Sequence, residues 1–176
     1  MTPQCFFVAV SFVFVSVALA QTPAPDKIEV SDKTLGTLKA LAWQSLPAKI
    51  VKNDQTVIEI DKSDPSQIVI PDADARSVIQ EAHLTARAHK CNLQDLVIAN
   101  RDALLLRERQ TGRWSEGQLQ YINTLHLFTV QLLLGNLGVV DAKPNASEPS
   151  QANCDEQEKQ DILNAVEAKN ARPGKS

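Results

Sequence analysis

The stretch SEGQLQYINTLHLFTVQLLLG, residues 115–135, decides the fold. It opens on Ser115-x-x-Gln118, the form of a capping box, in which a hydroxyl and a side-chain amide satisfy free N–H groups at a helix start. The helix predicted from it runs to Leu134 and stops at Gly135, which tolerates the left-handed turn after a helix. No charged residue falls between Gly117 and Val140, so a membrane span must be weighed. Gln118, Gln120, Asn123, Thr124, His126, Gln131 and Asn136 are too many polar groups for an isolated span. Gln120, Asn123, Thr124 and Gln131 gather on one side, and Leu119, Ile122, Leu125, Leu132 and Leu133 occupy the opposite arc. That pattern describes the central helix of a helical bundle.

Upstream, two further helices precede this one. Pro71-Asp72 opens a long helix by a cap-and-proline signature, with Ala75, Val78, Ile79, Ala82, Ala86 and His89 in one arc. Its alanines admit a close neighbour. Arg76, Gln80 and Arg87 lie opposite. After Cys91, Asn92 is placed to cap a helix from Leu93 to Gln110 whose inner face carries Leu93, Leu96, Val97, Asn100 and Leu104. Thr111-Gly112 ends it. Nearer the N-terminus, residues 31–45 show helical spacing of Leu35, Leu38, Leu41 and Ala42, and Pro47 stops them. Between these helices, residues 49–71 hold three β-branched runs, at Ile50-Val51, Val57–Ile60 and Ile68–Ile70, separated by polar turns. They predict an antiparallel hairpin or three-strand meander with Glu59 outward. Residues 141–151 form a polar, Pro-containing linker, and Asn153 caps a last helix with Ile162, Leu163 and Val166 on its apolar face. The expected fold is mainly α, about five helices and a small β element, in one domain over 31–170 with a disordered tail at 171–176.

Residues 1–20 carry no charge, form an apolar run from Cys5 to Leu19, and end Ala18-Leu19-Ala20, a small-x-small cleavage pattern. They are read as a signal peptide, with a buried helix or an uncleaved anchor as alternatives. The n-region lacks Lys and Arg. Residues 21–30 follow as a flexible entry segment. Four of the five phenylalanines lie in the leader, so the remaining core is ring-poor and suited to close helix packing. Cys5 leaves with the leader. Cys91 and Cys154 then pair as one disulfide in an exported chain, or stand as two separate buried thiols. A disulfide closing that loop stabilises by about 4 kcal/mol in the chain-entropy model.

A net charge of -3 argues against a nucleic-acid footprint. The chain has no Gly-rich phosphate loop, GxSxG elbow, HExxH or CxxC, so no cofactor or metal is implied. His83 and His89 are not at the i, i+4 spacing of a helical metal pair. His126 falls in the apolar arc of its helix, where it is either a buried hydrogen-bonded residue or a pH-responsive group or base. Asn100 is a partner for it in a buried polar network. Arg109, Arg113 and Trp114 sit at a helix junction, as a contact surface or as a solvated turn in which Trp114 staples the next helix. Asn145-Ala146-Ser147 matches a glycosylation triplet.

Cys91, Asn100, Arg107-Glu108, Trp114-Ser115, Gln118–Asn123, Leu125-His126 and Gly135 together resemble a group of small exported helical proteins of unassigned function from Gram-negative bacteria, over Ala82 to Gly135. The resemblance implies a periplasmic location and brings no catalytic residue with it. The expectation is an exported, periplasmic or secreted protein, non-catalytic, that binds or adapts a protein or other envelope component, without a transmembrane span after leader cleavage. Two alternatives are a small hydrolase-type enzyme using His126 and a pH-responsive, chaperone-like stress protein.

Overall fold

The computed structural model describes residues 28–52, 54–137 and 154–170. The leader, the linker with its glycosylation triplet, the Asn153 cap and the tail lie outside the described residues. The elements run α1 (Asp32–Ser45), β1 (Lys49–Val51), β2 (Val57–Glu59), α2 (Asp72–Lys90), α3 (Gln94–Gln110), α4 (Glu116–Leu133) and α5 (Glu156–Asn170). The described residues are mainly helical, with five helices, one antiparallel two-stranded sheet and one disulfide.

Local chemistry sets the helix boundaries. Ser31 caps α1 by accepting from Thr34 N–H at 3.2 Å. The Ser115–Gln118 box is complete: Ser115 Oγ accepts from Gln118 N–H at 3.2 Å, and Gln118 Oε1 accepts from Ser115 N–H at 3.0 Å. Gly112 and Gly135 take positive φ at the ends of α3 and α4. Two cap expectations are corrected. No side-chain cap bond forms at Pro71, and Asp72 instead pairs with Lys39 on α1. Asn92 does not cap α3; it takes φ +59° as the hinge between α2 and α3, a region short polar side chains tolerate. Asp155 is the cap seen on α5, accepting from Glu158 N–H at 2.8 Å.

The β-branched segment makes one hairpin, not a meander. Ile50 pairs with Ile58, Val51 with Val57 and Lys49 with Glu59. Ile58 points into the core and Glu59 outward. Ile68–Ile70 is not a strand: Pro65–Gln67 forms a 3₁₀ turn, and Ile68 and Ile70 then drop into the core as plugs. Burial, not pairing, is what those β-branched residues supply. Lys62, just past the hairpin, donates to the carbonyls of Trp43 and Leu46 and lies over the Trp43 ring, closing the C-terminus of α1.

Helix α2 packs on every other helix, and α4 packs on α1, α2, α3 and the hairpin. Ala75, Val78 and Ile79 join α1, the hairpin and α4 in the main core. Ala82 and Ala86 let Val130 of α4 approach closely. On its other side, Leu84 and Ala88 form a separate cluster with Ile162 and Val166 of α5. A helix buried on two sides does not show a single stripe, so His89, expected inside, is exposed, while Leu84, Thr85 and Ala88 are buried. Similarly, Leu93, Leu96 and Val97 are half-buried against the α5 cluster, and only Asn100 and Leu104 of α3 are fully inside. On α4, Leu132 and Leu133 are half-buried, and Tyr121 takes a core place, its hydroxyl donating to Lys39 O on α1 at 3.1 Å. The disulfide Cys91–Cys154 joins the end of α2 to the start of α5, with 5.3 Å between the Cα atoms.

Candidate functional site

Two places bring together the residues singled out in the sequence. The first is a polar network inside the bundle. Helix α4 holds His126 in its buried arc beside Ile122 and Leu125, and its side chain has 0% exposure. Its Nε2 lies 2.9 Å from Thr85 Oγ1 on α2. Asn100 on α3 donates through Nδ2 to the same Thr85 oxygen at 2.8 Å and to Glu81 O at 3.1 Å. Thr85 spends its one hydroxyl hydrogen on Glu81 O, at 3.1 Å. A hydroxyl has one donor and two lone pairs. The contact with His126 is therefore one in which the imidazole donates from Nε2, which leaves Nδ1 a bare acceptor, and that atom has no protein partner. The network thus joins Asn100 and His126 as the sequence suggests, but through Thr85 and not directly.

Electrostatics keep this imidazole neutral. Burial, reinforced by the Arg101 guanidinium, pushes its pKa down from the usual 6.5 to about 4. Beside it, Glu81 gathers two cations from different helices, Arg107 Nη2 on α3 at 3.0 Å and Lys169 Nζ on α5 at 2.9 Å. Glu81 and Thr85 are the members that sequence reasoning missed. Their only signal was their spacing of four on the same helix as Ile79 and Ala82, which does not separate an inward polar residue from an outward one.

The second place is the surface where the hairpin meets the α3–α4 turn. Glu116, at the start of α4, accepts from Lys52 Nζ at 2.6 Å and faces Arg109 Nη2 at 3.6 Å. Lys52 first, then Arg109, holds its carboxyl below the usual carboxylate range. Together with Ile50, Val51, Asp54 and Gln120 these residues line a shallow cleft. Val51 and Val57, paired across the hairpin, stand 58% and 43% exposed. Trp114 and Arg113 stand on the same turn. Trp114 packs half-buried on the main core and donates from Nε1 to Glu108 Oε2 at 2.8 Å, and Arg113 lies over its ring while pairing with Asp74 at 3.1 Å. The tryptophan is therefore a staple with one polar tie, and of the three contact-surface candidates Arg109 alone reaches the cleft.

Among the described residues no group of three or more His, Cys, Asp or Glu side chains is arranged to hold a metal ion. No described helix is long and apolar enough to cross a membrane. The chain matches no protein-family model, no curated protein and no solved structure.

Proposed function

We propose that this chain is an exported binding or adaptor protein of the cell envelope, acting through contact and not through catalysis. The observation that carries the reading is the surface beside the hairpin. Two valines project there on an exposed face, next to a cleft in which Lys52, Glu116 and Arg109 offer charge of both signs. An apolar centre with a polar rim is the anatomy of a protein-contact patch. The Cys91–Cys154 disulfide supports an oxidising compartment. The hydrolase alternative needs His126 to meet a substrate, and its burial disfavours that.

The test is affinity capture from an envelope fraction under oxidising conditions, comparing the native chain with a Val51→Asp/Arg109→Glu variant of equal thermal stability. A defined partner held by the native chain and lost by the variant supports the reading. Equal capture by both, or robust turnover of a small substrate, removes it. A second reading, a pH-responsive protein, rests on the buried neutral imidazole of His126. Unchanged dye binding and oligomeric state between neutral pH and about pH 4 would count against it.

A further inference from the structure

Helix α5 is attached to the rest of the chain in an unusual way. It packs on α2 and α3. Its buried side chains, Ile162 and Val166, belong to a cluster with Leu84, Ala88, Leu93, Leu96 and Val97, distinct from the core that unites α1, the hairpin, α2 and α4. Three ties hold it. The disulfide fixes its start. Arg87 on α2 grips Glu158 with two bonds, Nε at 2.7 Å and Nη2 at 2.9 Å. Lys169 in its last turn reaches Glu81 at 2.9 Å. The first tie is covalent and redox-sensitive; the other two are mostly buried ion pairs, with side chains 12–24% exposed, which orient α5 but do not join it covalently. Removing α5 leaves the main core without a missing member.

We infer that the Cys91–Cys154 disulfide is a redox latch on α5. In the oxidised chain α5 covers the apolar stripe between α2 and α3. A dithiol reductant opens the latch: its thiolate attacks one sulfur to form a mixed disulfide and its second thiol completes the exchange. Two electrons and two protons pass to Cys91 and Cys154, and the reductant leaves as a disulfide. Cys91 is buried and Cys154 half-buried, so the bond is approached from its Cys154 side. Once reduced, α5 leaves its seat while α1–α4 stay folded, and the stripe from Leu84 to Val97 opens. The latch operates whatever the hairpin surface binds, so failure of that binding reading leaves it standing.

The test is peptide-resolved hydrogen exchange on the full chain, oxidised, reduced by a dithiol without denaturant, and as the Cys91→Ser/Cys154→Ser variant. Exchange across residues 156–170 is expected to accelerate by about 100-fold or more on reduction and in the variant, with α1, α2 and α4 altered by less than about threefold. Re-oxidation restores protection. Unchanged exchange in α5, parallel loss of protection in all helices, or a bond that the dithiol reduces only in denaturant each overturn the proposal.

Discussion

Thr85 carries three polar contacts on one oxygen, to His126, Asn100 and Glu81 O. Thr85→Val keeps the shape and removes that oxygen, leaving the buried Nε2 donor of His126 unpaired and Asn100 Nδ2 with Glu81 O alone. A loss of about 2 kcal/mol is expected in denaturant unfolding, since an orphaned buried polar group loses its desolvation energy without return. Two glycines on helices make a contrasting pair. A Cβ at Gly36, exposed on α1, meets nothing within 4 Å, so Gly36→Ala is expected to stabilise by about 0.5–1 kcal/mol. A Cβ at Gly117 would lie 2.7 Å from Ile68 Cδ1, a buried side chain that must shift. Gly117→Ala is therefore expected to show none of that gain, and thermal melts of the two variants check the difference. Gly117 belongs to the start of α4 because the plug at Ile68 rests on it.

At the scale of elements, α4 depends on its first turn. Ser115→Ala removes half the capping box, with an expected loss of about 1 kcal/mol by thermal or chemical melt. This box was legible in the sequence, as were the Gly112 and Gly135 stops, because each is written within four or five neighbouring residues. The inward placement of Asn100 and His126 was also legible, from helical period alone. What the sequence hid depends on distant partners. Ile68–Ile70 carries the same β-branched composition as the true strands, but follows the Pro65–Gln67 turn into the core as a plug. The two-sided burial of α2 erased the stripe that would have placed Leu84 and Ala88 inside and His89 outside. Thr85 and Glu81 became site residues only when α3, α4 and α5 brought Asn100, His126 and Lys169 to them.

For the whole molecule, His126 links stability to acidity. Its folded pKa, about 4, lies below the unfolded value near 6.5. As pH falls through that interval the unfolded chain takes up a proton that the folded chain refuses. The stability held above pH 6.5 is therefore lost progressively down to about pH 4, by about 3 kcal/mol for this one group. Below the ordinary carboxylate range Glu158 adds to the loss, because Arg87 holds its carboxyl ionised in the folded state. Urea midpoints measured across this range should slope accordingly. In a His126→Phe variant, less stable at neutral pH, the slope between pH 6.5 and about 4 should flatten. An unchanged slope would show that another group carries the titration.

Tyr121 is the chain's single tyrosine, fully enclosed and bonded to α1. Burial raises its phenol well above the ordinary value near 10. In an alkaline titration the native protein should therefore stay spectrally silent where a free tyrosine turns to tyrosinate. The ultraviolet band of tyrosinate, when it comes, marks opening of the seam between α1 and α4. A single absorbance trace thus works as a clock for the main core, blind to whatever happens at α5.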